Sequence, residues 1–133
     1  MIKLAENTEQ KFVQMTPEGK EYLGTIEIAP EVITVIAGIA TTEVEGIAGT
    51  RGNFAAGVVE RLGKKVHGKG IKTEITNEGL FIDVYCLVKY GSSVPAVARE
   101  VQSQIRQAIE NMTSLVPKEV NIHITGVQFD SVE

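Results

Sequence analysis

The sequence predicts an α+β fold: a two-layer sandwich in which two main helices cover one face of a small mixed or antiparallel sheet of about four strands. Three stretches carry that expectation. Leu80–Tyr90 (LFIDVYCLVKY) alternates its apolar residues, as a strand does. Val94–Met112 repeats Val94, Val97, Ala98, Val101, Ile105, Ala108, Ile109 and Met112 at helical spacing, with Arg99, Glu100, Gln102, Arg106, Gln107 and Glu110 opposite. Val120, Ile122 and Ile124 then alternate with Asn121, His123 and Thr125 before Gly126 closes a last strand. Two helices and about four strands pack most economically as two layers around one core.

In chain order, residues 1–21 read as a flexible polar leader, because they bury too little to offset the entropy lost on ordering. Residues 22–130 form the domain. Gly24–Ile28 alternates as a strand, and Ala29-Pro30-Glu31 opens a helix with proline and an acid in its first turn. Val32, Ile33, Ile36, Ala37, Ile39 and Ala40 supply that helix's apolar side. Residues 46–70 hold seven of the 13 glycines, a density that favours turns over long regular elements. Within them Ala55–Leu62 has the pattern of a short helix. Ile71–Ile75 alternates again, and Asn77-Glu78-Gly79 is a tight hairpin turn into the long strand. After that strand Gly91-Ser92-Ser93 supplies a break and capping hydroxyls, Pro95 sits in the first helical turn, and Pro117 closes the helix.

A chain of 133 residues fits one domain and buries roughly two-thirds of its unfolded surface, enough for a core without disulfide or metal. No apolar run reaches the roughly 18 residues of a membrane span, and the first residues lack a signal-peptide core. A single cysteine, Cys86, allows no internal disulfide and suits a reducing compartment, so a cytoplasmic location is expected.

The net charge of −4 is unevenly spread. Arg51, Arg61, Lys64, Lys65, Lys69 and Lys72 face one acid, Glu60, in residues 51–72: six bases against one acid, a net +5. The rest holds seven bases and sixteen acids, a net −9. A cationic segment on an acidic body points to an anionic partner rather than to bulk nucleic-acid binding. Arg51, Arg61, Lys64, Lys65 and Lys69 are the candidate contacts, weighed against an ordinary solvated loop. With both helices on the face of Leu80, Ile82, Val84, Val88, Val120, Ile122 and Ile124, the opposite face shows Phe81, Tyr85, Leu87, Val127 and Phe129. Either the glycine-rich segment covers these or another chain does. Phe81, Tyr85 and Leu87 are the candidate protein contacts there.

No catalytic, cofactor-binding or metal-binding set emerges. His67 lies among cations in KKVHGKG, which oppose a metal, and His123 has no second histidine or clustered carboxylate near it in sequence. Cys86 falls on an inward strand position, where a thiol behaves as a small hydrophobe. Glu43 and Glu45 read as solvated surface, and Ser92 and Ser93 have a sufficient role as caps. Gly57–Lys65 places five residues between its glycines where a P-loop needs four, and Lys65 stands where Ser or Thr should hold magnesium. Gly46-Ile47-Ala48-Gly49 has the GxxG spacing of a KH loop but apolar central residues. Nucleic-acid binding through the basic segment is the alternative reading, with Phe54 its only interleaved aromatic. An enzyme reading would need a deep pocket lined by His123, Asp83 and Glu74.

Three runs resemble a known family: GTIEIAPEVITVIAGIATTEVEGIAG, YGSSVPAVAREVQSQIRQAIENMTSL and EVNIHITGVQF. In this order they look like the alkaline-shock, or envelope stress response, family of Gram-positive bacteria, over Gly24 to Phe129. RGNFAAGVVERLGKKVHGKGIK and IDVYCLVKYG are most similar to its YqhY-type branch, and the leader carries none of the likeness. The resemblance implies a non-enzymatic cytoplasmic protein linked to envelope stress, some members being held beneath the membrane by an anchor protein. For the YqhY-type branch it implies association with acetyl-CoA carboxylase and restraint of fatty-acid synthesis. The expected partners are therefore carboxylase subunits, a membrane anchor protein or a second copy of the chain.

Overall fold

The computed structural model describes residues 2–6, 11–15, 23–50 and 70–129. Its elements are β1 (Ile2–Glu6), β2 (Lys11–Met15), β3 (Ile26–Ile28), α1 (Pro30–Thr42), β4 (Ile47–Thr50), β5 (Ile71–Thr76), β6 (Gly79–Lys89), α2 (Val94–Thr113) and β7 (Glu119–Gln128). The arrangement is α+β, as the periodicities predict.

The long strand β6 is the axis of a four-stranded sheet. Along one edge it pairs in parallel with β7, from Phe81↔Glu119 to Lys89↔Gln128. Its other edge is shared: β5 pairs antiparallel from Gly79 to Val84, and β4 from Cys86 to Val88. The parallel pair needs a crossover, which α2 supplies. The sheet is therefore mixed.

Side chains of β6 divide cleanly. Leu80, Ile82, Val84, Cys86 and Val88 are at most 1% exposed and meet Ile33, Ile36, Ala37 and Ala40 of α1 and Val97, Val101, Ile105 and Ile109 of α2. Val120, Ile122 and Ile124 of β7 pack against the same cluster while staying half-exposed. Each fully buried large aliphatic contributes roughly 1.5–3 kcal/mol, so this face dominates the stability of the domain. The buried hydroxyls of Thr41 and Thr113 donate to the carbonyls of Ala37 and Ile109, four residues back, so they enter the core satisfied.

Several details depart from the sequence reading. The fourth strand of the main sheet is β4, inside the glycine-rich stretch, and not the strand at Gly24–Ile28. Gly46, at φ +101°, turns the chain after α1 directly into Ile47, and its carbonyl accepts from the Lys89 N–H at 2.8 Å. A four-residue strand is too short to announce itself by alternation. The Ile26–Ile28 strand belongs instead to a second, three-stranded antiparallel sheet with β1 and β2, which lie within the stretch read as leader. The register sets Ile2, Met15 and Ile26 in one row and Leu4, Val13 and Ile28 in another.

Ser93 occupies the N-cap of α2, yet its hydroxyl makes no capping bond. The helix ends at Ser114 (φ 66°), whose N–H donates to the Glu110 carbonyl, three residues before Pro117. Val32 and Ile39 of α1 and Met112 of α2, placed on apolar sides by spacing, are 42%, 38% and 69% exposed. The Ala55–Leu62 pattern lies outside the described residues.

Candidate functional site

The face of the main sheet turned away from the helices is built by the odd-numbered residues of β6. Phe81, Asp83, Tyr85 and Leu87 are all half-buried there, between the extremes of core and free surface. Register brings β5 and β7 to the same face: Lys72 lies opposite Asp83, Glu74 opposite Phe81, Glu119 opposite Phe81 on the other side, and His123 opposite Tyr85.

At the middle of this face four side chains from three strands meet. The rings of Tyr85 and His123 stack with centroids 4.5 Å apart and an interplanar angle of 13°. Nε2 of His123 lies 3.0 Å from Oδ1 of Asp83; an ionised carboxylate only accepts, so this nitrogen donates. The Lys72 ammonium sits 5.7 Å from the Tyr85 ring centroid, within cation–π range. The His123 and Asp83 side chains are 43% and 36% exposed, so water screens their pairing. The result is a partly exposed polar and aromatic cluster in which the Tyr85 ring is stacked on His123. Asp83 and His123, two of the three groups an enzyme reading would require, do come together, whereas Glu74 enters no such bond with them.

Chain spacing alone could not show this cluster. Asp83 and His123 are forty residues apart, and only the parallel register of β6 and β7 places them diagonally adjacent. The signal was available in principle: both stand on the polar phase of alternating strands.

Beyond this point β7 changes phase. Ile124 pairs with Cys86 but Gly126 with Leu87, leaving Thr125 as an extra residue whose hydroxyl donates to the Cys86 carbonyl at 3.3 Å. Val127 consequently pairs with Val88, on the helix side, and Phe129 stacks on Tyr90 at 4.9 Å. The expectation that Val127 and Phe129 share the face of Phe81 and Tyr85 is thus corrected by one bulge. A Cβ at Gly126 would lie 2.9 Å from Leu87 Cδ2, so a side chain there would displace the end of Leu87.

Other candidates place as follows. Arg51, Arg61, Lys64, Lys65, Lys69 and His67 lie outside the described residues. Cys86 is buried, and burial pushes its thiol up from the ordinary value of 9.0, away from nucleophile behaviour. Glu43 and Glu45 are exposed at the end of α1. Among the described residues no three His, Cys, Asp or Glu side chains gather as a metal site, and no helix is long and apolar enough to cross a membrane.

Comparison with known proteins decides the family. The alkaline-shock protein 23 family, described as having cell envelope-related function, matches residues 18–129. The chain belongs to this alkaline-shock family. Among its relatives, Bacillus subtilis (strain 168) YqhY is 61% identical over 110 residues, covering 83% of this chain and 82% of that protein. B. subtilis YloU is 31% identical over 116 residues, with 86% and 97% covered. A Streptococcus pyogenes protein named stress response regulator gls24 homolog is 24% identical over 106 residues, with 79% and 59% covered. The alkaline-shock resemblance and its YqhY-type branch are both upheld by these matches. The family region begins after β2, so β1 and β2 precede it.

Proposed function

We propose that this alkaline-shock-family protein is a non-enzymatic binding protein that ties the state of the cell envelope, or of lipid synthesis, to a protein partner. The observation that supports the reading is the sheet face turned away from the helices. Phe81, Tyr85 and Leu87 stand half-exposed on it, and Tyr85 is pinned between His123 and Lys72. Rigid aromatic groups rimmed by paired polar ones lose little entropy on contact and suit a protein interface. The basic residues Arg51, Arg61, Lys64, Lys65 and Lys69 supply a second, electrostatic contact to the same partner. Acetyl-CoA carboxylase subunits and a membrane anchor protein are the candidates the resemblance supplies.

The test is co-purification of the tagged chain from native cells beside a Tyr85→Ala variant. Truncating an aromatic anchor should weaken capture of the specific partner by roughly tenfold, equivalent to about 1.4 kcal/mol. Undiminished capture by the variant, with its fold intact by circular dichroism, would remove the sheet face from the proposal.

A further inference from the structure

Helix α1 carries more apolar surface than its contact with the sheet uses. Ile33, Ile36, Ala37 and Ala40 enter the core, while Val32, Val35 and Ile39 stand exposed on the other side. At about 3.6 residues per turn these three fall within one narrow arc, a stripe roughly 10 Å long. No charged residue interrupts the helix after Glu31. Its surroundings are acidic: residues 23–50 hold Glu27, Glu31, Glu43 and Glu45 and neither lysine nor arginine, a net −4. Two copies meeting through α1 would bring these acids together with no base between them, so the stripe does not suit a second copy.

Where the chain leaves and re-enters the described structure points to what covers the stripe. β4 ends at Thr50, opposite Cys86, and β5 begins at Ile71, opposite Val84, so both ends lie on one edge of β6. α1 packs against β4 and against β5. Residues 51–69 therefore start and finish beside this helix. They hold Arg51, Arg61, Lys64, Lys65 and Lys69 against Glu60, five bases and one acid, a net +4 that matches the −4 of residues 23–50. Val58, Val59 and Leu62 recur at helical spacing in Ala55–Leu62, a stretch that spans roughly 12 Å as a helix. The connection from Thr50 to Ala55 reaches at most roughly 18 Å, enough to round a helix roughly 10–12 Å across, and that from Leu62 to Gly70 is longer.

We propose that residues 55–62 dock on α1, with Val58, Val59 and Leu62 against Val32, Val35 and Ile39. The occupant is this chain's own segment, held by apolar contact and drawn in by Glu31 and Glu43 at the two ends of the stripe. Glu60 and Arg61 fall outside the apolar arc and stay in solvent. The face of Phe81, Tyr85 and Leu87 is then left to another chain. The inference does not depend on the partner-binding reading, whose sheet face it leaves open.

Paired cysteines in the full chain test it; Cys86 is buried and stays in place. Under mild oxidation Val35→Cys with Val59→Cys should close a disulfide within one chain. Leu87→Cys with Val59→Cys samples the opposite sheet face from the same edge, where Leu87 lies across from Gly49, and should close far more slowly. In the single variant Val35→Cys, maleimide labelling should become several-fold faster once Val58→Asp and Leu62→Asp are added. A disulfide between chains in the Val35→Cys, Val59→Cys variant overturns the proposal, because the occupant is then a second copy. Closure no faster than from Leu87 overturns it too, since the segment then does not lie on α1. So does a labelling rate that the two aspartates leave unchanged.

Discussion

Gly46 shows how much one residue can decide. Its φ of +101° is a region L side chains rarely adopt, and a Cβ there would come 2.6 Å from Val97 Cγ2 and 3.3 Å from Ser92 Oγ. Val97 is a core residue of α2, so it has little room to retreat. Gly46→Ala combines backbone strain with overpacking and should cost about 2–4 kcal/mol. A urea titration should show a lowered midpoint at unchanged slope. Cys86 gives the corresponding prediction for pH. Burial raises its thiol above 9.0, so the folded chain keeps a proton that the unfolded chain releases. Its contribution is fully present below 9.0 and is lost as pH climbs through the raised value. Stability curves of the unmodified chain and of Cys86→Ala, measured on both sides of 9.0, should therefore differ in their alkaline limb, with the variant falling less steeply. Parallel limbs would show that the thiol is not desolvated.

Among elements, the unit β6–α2–β7 was legible because each part is long enough to display its period. The eleven residues of β6 alternate without a break, and α2 repeats over twenty. What escaped reading was short or depended on distant register. The four-residue β4 shows no alternation, and the five-residue β1 and β2 are strands through their pairing with each other and that of β2 with β3. Periodicity also overstates the buried stripe of a helix, since apolar residues at its margin match the spacing without facing the sheet. Ile105 and Met112 both fit the helical pattern, yet Ile105 is fully buried and Met112 is 69% exposed. Ile105→Ala should cost about 2–5 kcal/mol, whereas Met112→Ala should stay within roughly 0.5 kcal/mol of the unmodified chain. Thermal melts of the two variants separate these outcomes. The Asp83–His123–Tyr85–Lys72 cluster was hidden by register, unlike the short β4: its members share a surface only once three strands have paired.

At the scale of the molecule, charge and shape act on different parts of the chain. The sheet face of Phe81, Tyr85 and Leu87 brings Lys72 and Asp83 opposite one another, so it carries no strong field of one sign. The field comes from residues 51–72, with a net +5 against −9 elsewhere. A segment of that kind raises the rate of meeting an acidic partner and loses its effect as salt rises, with a screening length of about 10 Å at 0.1 M ionic strength. Contact through the proposed sheet face would be apolar and would persist as salt rises. Replacing Lys64, Lys65 and Lys69 with alanine should therefore slow association with the captured partner and flatten its salt dependence, leaving the dissociation rate nearly unchanged. Tyr85→Ala should do the reverse, speeding dissociation at every salt concentration. Surface-plasmon or biolayer kinetics at low and high salt distinguish the two. If the triple variant and the unmodified chain share one salt dependence, the basic segment plays no part in recognition and the sheet face acts alone.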